Sequence, residues 1–292
     1  GFWGLLEGGS GDGQFQIKSD CNWKIIQAEC WQQNSKPEGW GQGHMEVIDG
    51  SKYPWGWDAP DFDDRHWLQT VEMLSVGSAD DEAIGRGPYR PFPILVPRGL
   101  PNLATDLLSP ERVFWTGSVQ EVPGEQLPEA AYNLTAIEAP SVVEDCETGW
   151  KLVSSSGQGA AINFVFNYHT GRPQLEIKAN GGEIIDIAVS ERLPGEPGDE
   201  IPGPLTRVGP HASSNVMRYV AKPGVQTIDK FEWSAIRGMQ IVVFNASKGL
   251  VIRSVKSRLV QYPVLHIVGA SCLLRLLVDH QDREVASQWS FH

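Results

Sequence analysis

Hydrophobic and polar residues alternate along much of the chain, in short runs bounded by Gly, Pro, Asn, Asp and Ser. That pattern predicts half-buried strands rather than helices. In the first hundred residues the strand-like runs are short, at 15–18, 23–28 and 44–48. Between 49 and 67 the sequence changes to turn chemistry, DGSKYPWGWDAPDFDDRHW, and the stretch 85–101 carries five prolines. Proline at that density excludes helix and central strand alike. From about residue 111 the pattern is cleaner. Strands are predicted at 112–119, 132–139, 150–154, 162–168, 175–179 and 184–189, with turn signals at Thr170-Gly171 and Asn180-Gly181-Gly182. After a Pro/Gly loop at 193–204, strands resume at 216–221, 227–233, 239–244 and 250–260. Alternation turns Phe164, Phe166, Leu175, Ile177, Ile185 and Ile187 inward.

This spacing predicts an all-β fold of two antiparallel β-sandwich, jelly-roll-like modules. The first covers 1–108 and is incomplete, with long loops; the second covers 109–264. The tail, 265–292, places Leu273, Leu276, Leu277 and His280 on one helical face and is expected to be a marginal helix or disordered.

Composition narrows the picture. Two hundred and ninety-two residues suit about two domains. With 31 Gly and 20 Pro the chain exceeds the usual share of about 12%, which favours a turn-rich β fold. The net charge of −12 argues against phosphate backbones and anionic lipid as partners. No apolar run is long enough to span a bilayer as a helix. The four cysteines form no C-x-x-C pair, so neither zinc nor a thioredoxin-like motif is signalled, while a Cys21–Cys30 bridge stays open. Asn133 and Asn245 match the glycosylation pattern, which is too common to assign a compartment. The start, GFWGLLEGGSGDG, has no basic region or long apolar stretch, so a fragment or processed product is expected.

The densest chemistry lies between Trp55 and Trp67. Trp55 and Trp57, with Trp40, offer flat apolar faces of the kind sugar rings stack on, and Asp58 offers a hydroxyl partner. Asp58, Asp61, Asp63 and Asp64 can supply hard oxygen ligands to calcium, although their spacing is not that of an EF-hand. The third reading is structural: Asp side chains tie down backbone N–H groups while Phe62 and Trp67 enter the core. No cofactor other than calcium is suggested. Candidate carboxylates for glycoside hydrolysis are Glu46 with Asp49, Glu191, and Glu196 with Asp199 and Glu200. Solvated surface is the default for all of them. There is no G-x-S-x-G, no H-E-x-x-H and no G-x-G-x-x-G.

Several phrases, in order, resemble the bacterial-type α-L-rhamnosidases and their six-hairpin glycosidase relatives. Ser19-Asp20-Cys21-Asn22-Trp23-Lys24 is similar to a strand of their N-terminal sandwich. Asp49-Gly50, Tyr53-Pro54-Trp55-Gly56-Trp57 and the PDFDD-x-x-W stretch from Pro60 to Trp67 resemble a "FDDs-x-W" element. In the family that element precedes a "PR-x-iP" segment, here Pro97-Arg98-Gly99-Leu100-Pro101. Gly181 to Leu193, Met217-Arg218-Tyr219, Phe231 to Val243 and Tyr262-Pro263-Val264 follow in the family's order. The resemblance spreads over about 15–264. It implies the N-terminal β-sandwich region of such an enzyme, with a rhamnose-containing glycan as partner. The family's catalytic α/α toroid would begin near residue 265, where 28 residues remain, so the toroid is expected to be absent and no catalytic residue is carried over. The expected role is an accessory, non-catalytic portion of the enzyme that packs against that toroid. The alternative is a free-standing carbohydrate-binding module.

Overall fold

The computed structural model describes residues 5–10, 13–18, 20–37, 43–71, 102–138, 143–196, 199–206 and 215–262. The expected tail at 265–292, the proline-rich stretch at 85–101 and Trp40 lie outside them. In chain order the strands are β1 (Leu5–Ser10), β2 (Gly13–Lys18), β3 (Lys24–Ile25), β4 (Glu46–Asp49), β5 (Leu68–Gln69) and β6 (Leu107–Leu108). They continue with β7 (Arg112–Glu121), β8 (Leu134–Ile137), β9 (Val143–Cys146), β10 (Gly149–Leu152), β11 (Gly159–Ala179) and β12 (Ile184–Ser190). The last are β13 (Gly195–Glu196), β14 (Asp199–Glu200), β15 (Asn215–Val220), β16 (Gly224–Asp229), β17 (Ser234–Phe244) and β18 (Leu250–Leu259). One 3-10 turn covers Glu129–Ala131. The fold is all-β.

The chain forms two compact units, Gly1–Ala28 with Pro54–Gly99, and Glu29–Tyr53 with Leu100–His292. In the first, β1 pairs with β2, and β3 pairs with β5, both antiparallel.

The second unit is a sandwich organised around β11. Residues 159–165 of this 21-residue strand lie between β17 and β7. Residues 174–178 lie between β16 and β18. One layer therefore runs β4-β15-β12-β17-β11-β7-β8 and the other β16-β11-β18-β10-β9, with β11 shared. The predicted turn at Thr170-Gly171 is not a turn. Gly171 is paired on both sides, opposite Ser234 of β17 and Leu259 of β18. The chain bends instead through an irregularity between Val165 and His169, which lets one strand serve both layers. The ladder is also not wholly antiparallel, because β4 runs parallel to β15.

Phe164, Phe166, Leu175, Ile177, Ile185 and Ile187 are all buried, as the alternation predicts. Trp150 of one layer meets Phe164 of the other edge-on, ring centroids 5.0 Å apart. The opposite face of the first layer is covered as well. Val165, Ala188 and Val216 pack with Met45, Tyr132, Leu193 and Leu205, and Ala161 packs with Val119 and Val242. Double-sided burial explains why 160–166 and 185–190 are buried without interruption.

Candidate functional site

The Trp/Asp-rich segment in the first unit is a chain of consecutive tight turns. Trp57 N–H donates to the Pro54 carbonyl at 3.1 Å, Ala59 to Gly56 at 2.8 Å, Phe62 to Ala59 at 3.1 Å and Trp67 to Asp64 at 2.9 Å. Gly56 takes φ +79°, which a side chain would strain. The turns bring Trp55, Trp57, Asp58, Asp61, Asp63 and Asp64 into one short exposed stretch. Trp55 is 37% exposed and Trp57 52%, enough to offer an aromatic face to solvent. Phe62 and Trp67, both half-buried, pack edge-to-face at 5.6 Å.

Two of the four aspartates already face cations. Asp63 accepts both guanidinium hydrogen bonds of Arg65, at 2.8 and 2.7 Å, and its backbone N–H at 3.2 Å. The Arg65 side chain, then its backbone N–H, hold the Asp63 carboxyl down at about 2. Asp64 accepts from Lys24 Nζ at 2.7 Å, which fastens the turn to β3. Among the described residues no three His, Cys, Asp or Glu side chains gather closely enough to hold a metal ion.

Of the candidate carboxylates for hydrolytic chemistry, Glu196 lies opposite Asp199 in the short β13–β14 ladder. Asp49 accepts from the Ser51 hydroxyl at 2.6 Å and N–H at 3.0 Å, and the hydroxyl foremost holds its carboxyl below the ordinary range. Glu191 is exposed. Glu46 does not follow the solvated-surface default, being 5% exposed. One carboxylate oxygen accepts the N–H groups of Phe231 at 2.9 Å and Glu232 at 2.8 Å; the other accepts Phe231 at 3.1 Å. Lys230 Nζ, itself buried, lies 4.0 Å away. Burial pushes the Glu46 carboxyl up, while the two N–H groups and Lys230 pull it back. The signal for this was in the sequence: Glu46 and Ile48 share the buried face of β4.

Two further buried carboxylates escaped the sequence reading. Asp186 on β12 receives both arms of Arg218, directly opposite on β15, at 2.6 Å each. Glu183 closes the turn before β12 by accepting from the N–H of Asn180 at 2.8 Å, its Nδ2 at 3.0 Å and the N–H of Gly181 at 2.7 Å. All three carboxylates are bound to backbone or to arginine, an arrangement that holds strands and loops in place. Cys21 and Cys30 are not bridged.

No protein-family model and no curated protein matches the sequence. Among solved structures, the chain is similar to a GH78 family rhamnosidase of Bacillus sp. GL1, with TM-score 0.58 and 14% identity over 89% of this chain. It also matches an α-L-rhamnosidase from Dictyoglumus thermophilum, with TM-score 0.46 and 16% identity over 87% of this chain. The chain spans 45% of the length of the first and 21% of the second. At these identities the first likeness establishes a shared fold.

Proposed function

We propose that this chain is the non-catalytic β-sandwich portion of an α-L-rhamnosidase-like glycoside hydrolase, supporting a catalytic α/α domain and contacting carbohydrate through its Trp/Asp-rich turn. The observation that carries this reading is the fold: 89% of the chain superposes on less than half of a GH78 rhamnosidase. Glycosidic hydrolysis needs two carboxyl groups facing each other across the bond to be broken. The buried carboxylates Glu46, Glu183 and Asp186 are each engaged in holding the sandwich together. Trp55 and Trp57 supply the aromatic faces for a sugar, with Asp58 as hydroxyl partner. Trp40 belongs to the same proposal.

The test has two arms. Incubated with an aryl α-L-rhamnoside, the purified chain is expected to release no aryl alcohol; turnover overturns the non-catalytic reading. In a thermal melt, a ligand at a hundredfold excess over Kd adds about 2.7 kcal/mol. For a chain of this size that is a rise of roughly 5–11 °C. A rise with L-rhamnose that is lost in Trp57→Ala supports sugar contact at the turn, and no rise removes it. The exposure of Trp55 and Trp57 also fits a free-standing carbohydrate-binding module. That reading is favoured if the isolated chain binds rhamnose and shows no affinity for an α/α catalytic domain.

A further inference from the structure

The corner of the second unit where β17, β11 and β18 run side by side carries two large rings that the sandwich core does not use. Along β11, Tyr168 is exposed and Thr170 half-buried, while His169 and Gly171 between and after them are buried. Thr170 lies opposite Ala235 of β17, and on its other side its carbonyl accepts the N–H of Val260 at 2.9 Å. Thr170, Ala235 and Val260 thus form a floor of residues no larger than valine. Trp233, immediately before β17, stands at one end of it and Tyr168 at the other. Tyr168 adjoins His169, which pairs with Ile236. The two rings are therefore separated by about three or four strand residues, or roughly 10–13 Å.

Tyr168 is 62% exposed and Trp233 50%. Among the described residues neither the Tyr168 hydroxyl nor the Trp233 indole N–H has a hydrogen-bond partner. Each ring offers solvent an apolar face and a free polar tip. The cations bordering the floor are engaged or turned away. Arg237 is bonded to Glu111 at 3.0 Å, Arg258 faces Asp229 at 3.7 Å, and Arg172 keeps its Nε buried. With the arginines so matched, on a chain of net charge −12, this face suits an uncharged ligand. Its Trp233 end is fixed in advance, because the Glu46 carboxylate holds the N–H groups of Phe231 and Glu232, the two residues before Trp233. Groups held by strands and buried hydrogen bonds lose little freedom on binding.

We infer that this outer face binds a neutral oligosaccharide of at least two residues, one sugar against Trp233 and another against Tyr168, over the floor of Thr170, Ala235 and Val260. A pyranose has an apolar C–H face and a rim of hydroxyls, which match the face of each ring and its polar tip. The core of a protein interface is packed as densely as an interior. Here small residues between two standing rings leave a slot. The choice of a sugar rests on the function proposed above. Its neutrality rests on the matched arginines, and its length on the spacing of the rings.

The test is calorimetric titration of the full chain carrying Trp57→Ala, which removes the sugar contact proposed at the turn. The probes are an uncharged α-1,2-linked L-rhamnose trisaccharide and L-rhamnose itself. The trisaccharide is expected to bind at least tenfold more tightly than the monosaccharide. Its affinity should change less than twofold between about 0.05 and 0.5 M NaCl, because no charges meet. Adding Trp233→Ala or Tyr168→Ala should weaken it tenfold or more. Both rings project into solvent, so the melting temperature should stay within about 2 °C. Should either alanine variant melt below the assay temperature, Trp233→Phe and Tyr168→Phe serve instead, keeping the ring, losing the polar tip and weakening the trisaccharide severalfold. No binding, equal affinity for the two probes, tenfold loss in salt, or binding indifferent to both rings overturns the inference. The rhamnose melt separates the two claims. A wild-type chain stabilised by L-rhamnose through Trp57, with no trisaccharide binding once Trp57 is gone, retains the functional reading and loses this one. Trisaccharide binding controlled by Trp233 and Tyr168, without a Trp57-dependent melt, retains this one and loses sugar contact at the turn.

Discussion

Replacing Glu46 by alanine removes the acceptor of three short contacts from Phe231 and Glu232 and the carboxylate 4.0 Å from the buried ammonium of Lys230. Removing one partner of a buried ion pair costs about 3–5 kcal/mol, because the other charge stays buried. At about 2–4 °C per kcal/mol for a chain approaching this size, the melting temperature should fall by about 6–20 °C. Differential scanning calorimetry reads that fall, and amide hydrogen exchange at Phe231 and Glu232 reads its origin. Both amides should lose protection. Glu46→Leu combined with Lys230→Met removes both charges together and should cost less than Glu46→Ala alone. The pH dependence has a definite sign. Burial raises the Glu46 carboxyl above its ordinary 4.5, so the folded state holds this proton more firmly than the unfolded chain. Its contribution is fullest below 4.5 and declines as pH rises through the raised value. The stability gap between the wild-type chain and Glu46→Ala should therefore be widest in mild acid and narrow toward neutrality. A loss below about 1 kcal/mol, within the range of an ordinary exposed pair, with unchanged exchange at both amides would refute the idea that Glu46 holds this loop.

Three other outcomes follow from the geometry. Asp186→Ala should cost about 3–5 kcal/mol by denaturant titration, toward the lower figure because Arg218 keeps Glu121 at 3.3 Å; a neutral result would show that the Arg218 fork contributes nothing. Gly149 sits at φ +131°, where an added Cβ would lie 2.0 Å from the carbonyl oxygen of Ile252 on the neighbouring strand. Gly149→Ala should therefore destabilise by at least the 1–3 kcal/mol, roughly, of an overpacked core, and an unchanged melting temperature would contradict the β10–β18 register. In a carbon-detected NMR titration the Asp63 carboxyl should titrate near 2, and in Arg65→Gln near its ordinary 3.8. Any stability from this pair is present above 3.8 and lost as pH falls toward 2, and an Asp63 midpoint that ignores Arg65 would show that the exposed fork does not persist in solution.

The alternation of apolar and polar residues was enough to read an all-β chain, the position of most strands in the second unit and six of its core side chains. Strand burial is a local property, repeated every second residue, so it is written directly into the order of residues. The Trp- and Asp-rich segment was likewise legible as a turn, because Pro, Gly and Asp act on their immediate neighbours. What the order of residues left open depends on which segments meet. Thr170-Gly171 reads as a turn locally, yet strands on both sides draw it into β11. Residues 29–53 join the second unit because β4 adds in parallel to β15, a pairing between residues 171 positions apart, such as Glu46 and Met217. Glu46 takes the surface default until a loop distant in sequence closes over it with N–H groups, and the burial of Asp186 depends on Arg218 of the facing strand. Composition and periodicity report what each residue prefers. The charge balance and hydrogen bonding of a buried group are properties of its neighbours in space, and only the assembled sheet determines who those neighbours are.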